Sequence, residues 1–231
     1  MKLGMRRALA LAIAAGSAST VVAQTVVVPN ANAAAAGTAG LNTFIRDNGN
    51  ARTGQLIMDA AELATIPVGS QITGITFRLW PGSTTAFPAT DATWATYDIY
   101  MGQSVPPASA TATFATNVVG TLTQVRTGPL TILANAFSTT GLPRPWGQEI
   151  TFNTPYTYNG GPLLVEIRHP GSNIVNTASD FLDVVAIGAT PNRSFTAVGN
   201  TATAGAEATY TISRLTYIPC GLVGACCITA T

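Results

Sequence analysis

Short runs of alternating apolar and polar residues, separated by glycine, proline and asparagine, recur along most of this 231-residue chain. In residues 71–80, for example, Ile75, Phe77 and Leu79 alternate with other side chains until Pro81 ends the run. A period of two is that of a β-strand with one buried face. Similar β-prone runs occupy residues 24–29, 94–101, 117–125, 129–133, 148–153, 163–168, 183–187, 194–198 and 207–218. Many short strands of this kind predict an all-β fold, and we expect a two-sheet antiparallel β-sandwich of the jelly-roll type.

Three stretches depart from this regular pattern. Residues 30–40 are small and of low complexity, which predicts a flexible or loosely packed segment. Residues 59–65 could form one or two helical turns, with Asp59 or a neighbour as the N-cap. Within the last run the apolar residues change from even positions, such as Ile212, to odd positions, such as Leu215. This change predicts a β-bulge at residues 213–214.

The first residues have the pattern of an export signal. Lys2, Arg6 and Arg7 form a positive start. Residues 8–15 are apolar, and a small-x-small cleavage pattern follows at residues 21–23. This order of regions is typical of a Sec-type signal peptide, and its apolar run is about half of what a membrane span needs. We therefore expect a protein that is secreted or displayed on the cell surface, with no membrane span after cleavage.

The sequence divides into four parts on this interpretation. They are a signal peptide (1–23), an N-terminal strand with a low-complexity segment (24–49), the β-sandwich domain (50–219) and a cysteine-containing tail (220–231).

Charge excludes several classes of function. Lys2 is the only lysine, so a chain cleaved after residue 23 has none and cannot use Schiff-base or P-loop lysine chemistry. The cleaved chain then has eight arginines and ten acidic residues, which gives a net charge of −2. A chain with so little charge does not bind nucleic acid through a basic surface.

All three cysteines lie in the last twelve residues. In an exported protein an odd number predicts one disulfide and one further thiol. Cys220 could pair with Cys226 or with Cys227, whereas a bond between the two adjacent cysteines would be strained. Three thiolates without a nearby histidine do not complete a zinc site.

Two motifs carry a likeness to known proteins. One is Tyr-Asp-Ile-Tyr-Met-Gly at residues 97–102, and the other is Thr-Pro-Tyr-Thr-Tyr-Asn-Gly-Gly-Pro-Leu-Leu-Val-Glu at residues 154–166. They resemble segments of exported bacterial β-sandwich modules, jelly-roll-like surface modules of uncharacterised function. Residues 220–227 resemble the opening of a Gly-Ala-Cys-Cys tail in exported bacterial proteins, cut short here. The resemblance implies a fold more than a function.

His169 is the only histidine and therefore the only candidate for the base of a Ser-His-Asp site. No Gly-x-Ser-x-Gly elbow is present to supply its nucleophile, so we expect a loop or strand-end position instead. A glycoside hydrolase would need two facing carboxylates, and Asp98 with Glu166 would share one sheet face if their strands were neighbours. The carboxylates considered are Asp98, Glu149, Glu166, Asp180 and Asp183.

Calcium is the one cofactor that the sequence suggests, as a structural ion. Asp47 and Asn50 belong to an oxygen-rich turn, and Asp180 with Asp183 forms a second acidic pair. Calcium binds six to eight oxygens, and neither cluster has the spacing of an EF-hand. Turns of this composition are also common without metal.

Aromatic side chains give the remaining candidate site. Trp80, Trp94 and Trp146 could stack on a sugar, or could simply fill the sandwich core. We interpret the chain as a secreted, non-catalytic β-sandwich module that acts in surface adhesion or extracellular structure, with glycans or other extracellular proteins as partners. The alternatives are a carbohydrate-binding module that uses exposed aromatics and a glycoside hydrolase that uses carboxylates.

Overall fold

The computed structural model describes residues 22–45, 49–174 and 181–220. Within these ranges the chain forms fifteen β-strands and five short 3-10 helices. The strands are β1 (Gln24–Val28), β2 (Ala39–Leu41), β3 (Arg52–Met58), β4 (Gln71–Phe77), β5 (Ala92–Trp94), β6 (Asp98–Ser104), β7 (Val118–Arg126), β8 (Leu130–Ile132), β9 (Ile150–Thr157), β10 (Leu163–His169), β11 (Leu182–Val185), β12 (Arg193–Val198), β13 (Ala206–Ala208), β14 (Tyr210–Thr211) and β15 (Ser213–Ile218). The 3-10 helices are Asn30–Asn32, Thr43–Ile45, Ala60–Leu63, Pro107–Ser109 and Phe114–Asn117. No helix in the described ranges is long and apolar enough to cross a membrane.

Two antiparallel sheets make up the body of the fold. The four-stranded sheet has the order β1-β15-β4-β9, and the six-stranded sheet has the order β13-β12-β3-β10-β6-β7. Along β1, β3, β4, β6, β7, β9, β10 and β15 the chain changes sheet at every step except between β6 and β7. This alternation between the two layers, in which β12 and β13 extend the larger sheet, is the jelly-roll arrangement, so the predicted fold class is confirmed.

A single apolar core fills the space between the two sheets. It takes Ile75 and Phe77 from β4, and Val165 and Ile167 from β10, as the alternating patterns predict. Phe77 also stacks on Phe44 of the second 3-10 helix, with ring centroids 5.6 Å apart. Burial of these side chains is the main stabilising contribution to the sandwich.

Strand β3 lies in the middle of the six-stranded sheet, between β12 and β10, although no alternating run predicts it. Gly54 and Gln55 interrupt its apolar pattern. Gln55 is nevertheless completely buried, because its side-chain amide donates to Glu166 Oε2 at 2.7 Å. A polar residue whose partner lies 111 positions away gives no local pattern from which the strand could be identified.

The segment expected to be flexible or loosely packed, residues 30–40, is hydrogen-bonded to the sandwich in its second half. The Gly37 N–H donates to both carboxylate oxygens of Asp183 at 3.0 Å, and the Thr38 N–H donates to the Val184 carbonyl at 2.9 Å. Strand β2 then pairs with β11. The small residues allow close contact, since a Cβ atom at Gly37 would lie 2.3 Å from the Val184 carbonyl oxygen.

The other two local expectations have different outcomes. Asp59 is the N-cap of the third 3-10 helix and accepts a hydrogen bond from the Ala61 N–H at 2.9 Å, as predicted. The expected bulge at residues 213–214 is not the cause of the parity change. At Ile212 the chain passes from β14 in a three-stranded sheet to β15 in the four-stranded sheet, and the bulge lies later, between Thr216 and Tyr217.

Candidate functional site

The single histidine of the sequence is buried in an aromatic cluster. The His169 ring stacks on Tyr97, with centroids 5.5 Å apart, and meets Trp94 edge-on at 6.4 Å. The Gly171 N–H donates to His169 Nδ1 at 3.1 Å, so Nε2 carries the proton and donates to the Thr43 carbonyl at 3.0 Å. Both ring nitrogens therefore bind backbone groups within the fold.

Trp94 belongs to this cluster and is not an exposed aromatic. It borders a pocket of about 410 Å³ together with Pro129 and Ser172, yet none of its own surface is exposed. A sugar on the surface could not stack on this indole, which corrects the expectation from sequence. Trp80 is half-buried and meets Phe181 edge-on at 6.4 Å.

Trp146 packs against two guanidinium groups. The Cζ atoms of Arg78 and Arg214 each lie 5.1 Å from its ring centroid, within the range of cation–π attraction. Burial lowers the pKa of Arg214, and the nearby Glu149 offsets part of that shift. The half-buried indole is thus engaged inside the fold, where it also forms a β-bridge with Arg78, the residue that follows β4.

Arg78 and Asp183 form a buried ion pair beneath this indole. The Arg78 Nε donates to Asp183 Oδ2 at 2.9 Å, and the two side chains are 1% and 0% exposed. A second guanidinium nitrogen, Nη2, donates to the Ala35 carbonyl at 2.6 Å. Burial raises the pKa of Asp183, while the Gly37 amide and the Arg78 guanidinium act in the opposite direction.

The oxygens of Asp183, one of the residues suggested for calcium, accept hydrogen bonds from Gly37 and Arg78. Of the other candidates, Asn50 is half-buried, whereas Asp47 and Asp180 lie outside the described residues. The described part of the chain contains no group of three or more histidine, cysteine or acidic side chains that could hold a metal ion.

The described carboxylates considered for glycoside hydrolysis do not all lie on one sheet. Strands β6 and β10 are neighbours, with Asp98 opposite Arg168 and Glu166 opposite Tyr100, so Asp98 and Glu166 share the outer sheet face. Arg168 Nε donates to Glu166 Oε1 at 2.7 Å. Glu149 instead accepts a hydrogen bond from a threonine of β15, on the other sheet. Glu166 and Arg168, two positions apart on one face of β10, thus form a charge pair.

A groove of about 400 Å³ lies over this charge pair, on the outer face of the six-stranded sheet. Its other lining residues come from the Phe114–Asn117 helix, from β7 and from the turn before β13. They are Phe114, Ala115, Val118, Gly120, Thr121, Leu122 and Thr203. Sequence reasoning missed this groove. Gly120 was the available indication, because an isolated glycine inside a strand pattern predicts a bulge.

Two buried phenols should make the protein sensitive to alkali. Burial raises the pKa of Tyr97 far above its ordinary value of 10.0, against a smaller opposite effect of Arg126, and burial raises the pKa of Tyr210 in the same way. The folded state therefore retains these protons after the unfolded state has lost them. Stability should fall as the pH rises above about 10, by up to ~1.4 kcal/mol per pH unit for each phenol.

Absorbance at 295 nm and tryptophan fluorescence, followed together through an alkaline titration, test this expectation. Part of the tyrosine ionisation should coincide with unfolding, and Tyr97→Phe should remove one phenolate from that step. Ionisation of all six tyrosines with the fold intact would contradict it.

Of the three cysteines in the tail, the structure describes only Cys220. The Cys220 N–H donates to Ser70 Oγ at 3.3 Å, whereas Cys226 and Cys227 lie outside the described residues. The predicted disulfide therefore stays a prediction.

Comparison with known proteins found no matching protein family, no similar curated protein and no similar solved structure.

Proposed function

We propose that this chain is an exported, non-catalytic β-sandwich module that acts in surface adhesion or extracellular structure. The observation that supports it most is that potentially reactive side chains are engaged in hydrogen bonds within the fold. Both nitrogens of His169 and both carboxylate oxygens of Asp183 bind backbone or a guanidinium within the fold. Side chains committed in this way stabilise loops and do not meet the geometric needs of acid–base or nucleophilic chemistry.

The sequence supports the exported location. The charged start, the short apolar run and the small-residue pattern at residues 21–23 follow the order of a signal peptide. A chain without lysine beyond position 2 and with few other charges also suits close contact with other chains or with an envelope.

Localisation and adhesion can be tested in one experiment with the full chain. Expressed from its own start, the protein should appear outside the cytoplasm without residues 1–23, as shown by mass spectrometry. Beads coated with it should bind isolated cell envelopes of the source organism, whereas beads coated with heat-denatured protein should not. Reversal of the N-terminal charges, with Lys2→Glu, Arg6→Glu and Arg7→Glu, should keep the protein inside the cell.

Two results would contradict the proposal. One is retention of the unmodified chain, with an intact N-terminus, in the cytoplasm. The other is turnover of chromogenic glycoside or ester substrates by the purified protein.

A further inference from the structure

The groove over Glu166 and Arg168 has one wall built by an irregularity in β7. Gln103 pairs with Val119 and Met101 pairs with Thr123, so four steps along β7 match two along β6. Gly120 makes the turn with a φ of 78°. The extra residues form a β-bulge, a device that commonly redirects side chains beside binding sites.

This bulge folds directly over the neighbouring strand. A Cβ atom at Gly102 would lie 2.9 Å from Leu122 Cδ2 and 3.1 Å from the Thr121 carbonyl oxygen, so a side chain there would force these atoms to shift. Leu122 packs against the small apolar cluster on the outer sheet face, which includes Leu164. The bulge is therefore a fixed wall with an apolar surface.

The opposite wall is also held in place. The Phe114 N–H donates to the Thr203 carbonyl at 3.0 Å, and the Phe114 carbonyl accepts a hydrogen bond from Gln55 Nε2 at 3.2 Å. Asn117 Nδ2 donates to Gln55 Oε1 at 2.9 Å. The groove is thus formed before any ligand arrives, which lowers the entropic cost of binding.

The floor of the groove presents both a hydrogen-bond acceptor and a donor. The Glu166 side chain is 4% exposed, and each of its oxygens accepts one hydrogen bond, from Arg168 and from Gln55. A carboxylate can accept about four, so acceptor capacity remains. The Arg168 side chain is 27% exposed, and its Nη2 donates no hydrogen bond within the described part of the chain.

The charge of this floor determines what kind of ligand it suits. With Arg168 Nε 2.7 Å from Glu166 Oε1, the pair has no net charge. An anion would meet the carboxylate and a cation would meet the guanidinium, so neither is favoured. A neutral molecule with adjacent hydroxyl groups can donate to one and accept from the other, and its apolar face can lie on the walls. A volume of about 400 Å³ is within the usual range for small-molecule sites.

We propose that this groove binds a neutral sugar, whose adjacent hydroxyl groups contact Glu166 and Arg168 while its C–H face lies against Leu122. The inference rests on the proposed function, because it names the ligand class by which an adhesive module would attach. It places recognition on the outer face of the six-stranded sheet, whereas Trp146 packs against Arg78 and Arg214.

Glycan-array binding tests the proposal, with neutral and acidic mono- and oligosaccharides as probes and the full chain as the binder. Thr203→Trp fills the exposed rim of the groove without touching its floor. Thr154→Trp is the matched control, since Thr154 is an exposed threonine of β9 on the other sheet. Arg168→Gln removes the donor from the floor.

Wild type and Thr154→Trp should bind neutral sugars equally well. Thr203→Trp and Arg168→Gln should bind at least about tenfold more weakly, which corresponds to ~1.4 kcal/mol of binding free energy. Equal binding by Thr203→Trp, loss of binding on Trp146→Ala alone, preference for acidic sugars, or no binding to any sugar would each overturn the inference.

The same variants separate this inference from the proposed function. If wild type and Thr203→Trp adhere equally to cell envelopes while no sugar binds, the sugar site is wrong and the adhesive role stands. If the array confirms the groove but coated beads do not bind envelopes, the sugar site stands and the adhesive role is wrong.

Discussion

Replacing Asp183 with alanine is expected to lower the free energy of unfolding by about 3–5 kcal/mol. The reason is the charge left behind. Arg78 is 1% exposed and would lose its carboxylate partner, and the Gly37 N–H would lose both of its acceptors. An unpaired buried charge is far more costly than the pair itself is stabilising. Urea denaturation followed by far-ultraviolet circular dichroism measures the loss.

A surface ion pair provides the control for this prediction. The side chains of Arg193 and Glu207 are 34% and 31% exposed, so Glu207→Ala should cost no more than about 1 kcal/mol. The double variant Arg78→Met with Asp183→Leu should recover much of the loss, because it leaves no buried charge. An equal effect of Asp183→Ala and Glu207→Ala would show that the buried pair has no special role.

The second large effect is expected for Trp94→Ala, which should also cost about 3–5 kcal/mol. Trp94 is completely buried and meets Tyr97 edge-on, with centroids 5.8 Å apart, as well as His169. Truncation would remove these contacts and leave a cavity that the two sheets cannot close. The midpoint of urea denaturation should fall accordingly.

Trp80→Ala is the matched control, because Trp80 has the same side chain but is only half-buried against Phe181. Its truncation should cost clearly less than that of Trp94. If both variants lost the same stability, or if Trp94→Ala lost less than about 1 kcal/mol, the central role of the aromatic cluster would be contradicted.

Alternation in the sequence predicts those strands that have one apolar face. The runs containing Ile75 and Ile167 correspond to β4 and β10, and both residues are in the core. The pattern fails where polar side chains are buried with a distant partner, as for Gln55 in β3. It also does not indicate the short strand β2, which follows the contact of the Gly37 N–H with Asp183.

The candidate site was less predictable than the fold. Asp98 and Glu166 share one sheet face because β6 pairs with β10. The sequence could predict this shared face only on the assumption that the two strands are neighbours. The groove itself needs the bulge in β7 and the contact of Phe114 with Thr203, 89 residues apart in the chain. The sequence could not show whether Trp94 is buried or exposed, because aromatic residues occur both in cores and at binding surfaces.

The pairing of the first strand with the last has a mechanical consequence. Gln24 begins β1 and lies opposite Tyr217, near the end of β15, so both extremities of the sandwich leave from the same end of one antiparallel pair. The hydrogen bonds of such a pair lie perpendicular to the strands, and tension applied at that end loads them one after another. A chain stretched between its two extremities would therefore peel open at β1 first, under a small force, while the opposite sheet is still intact.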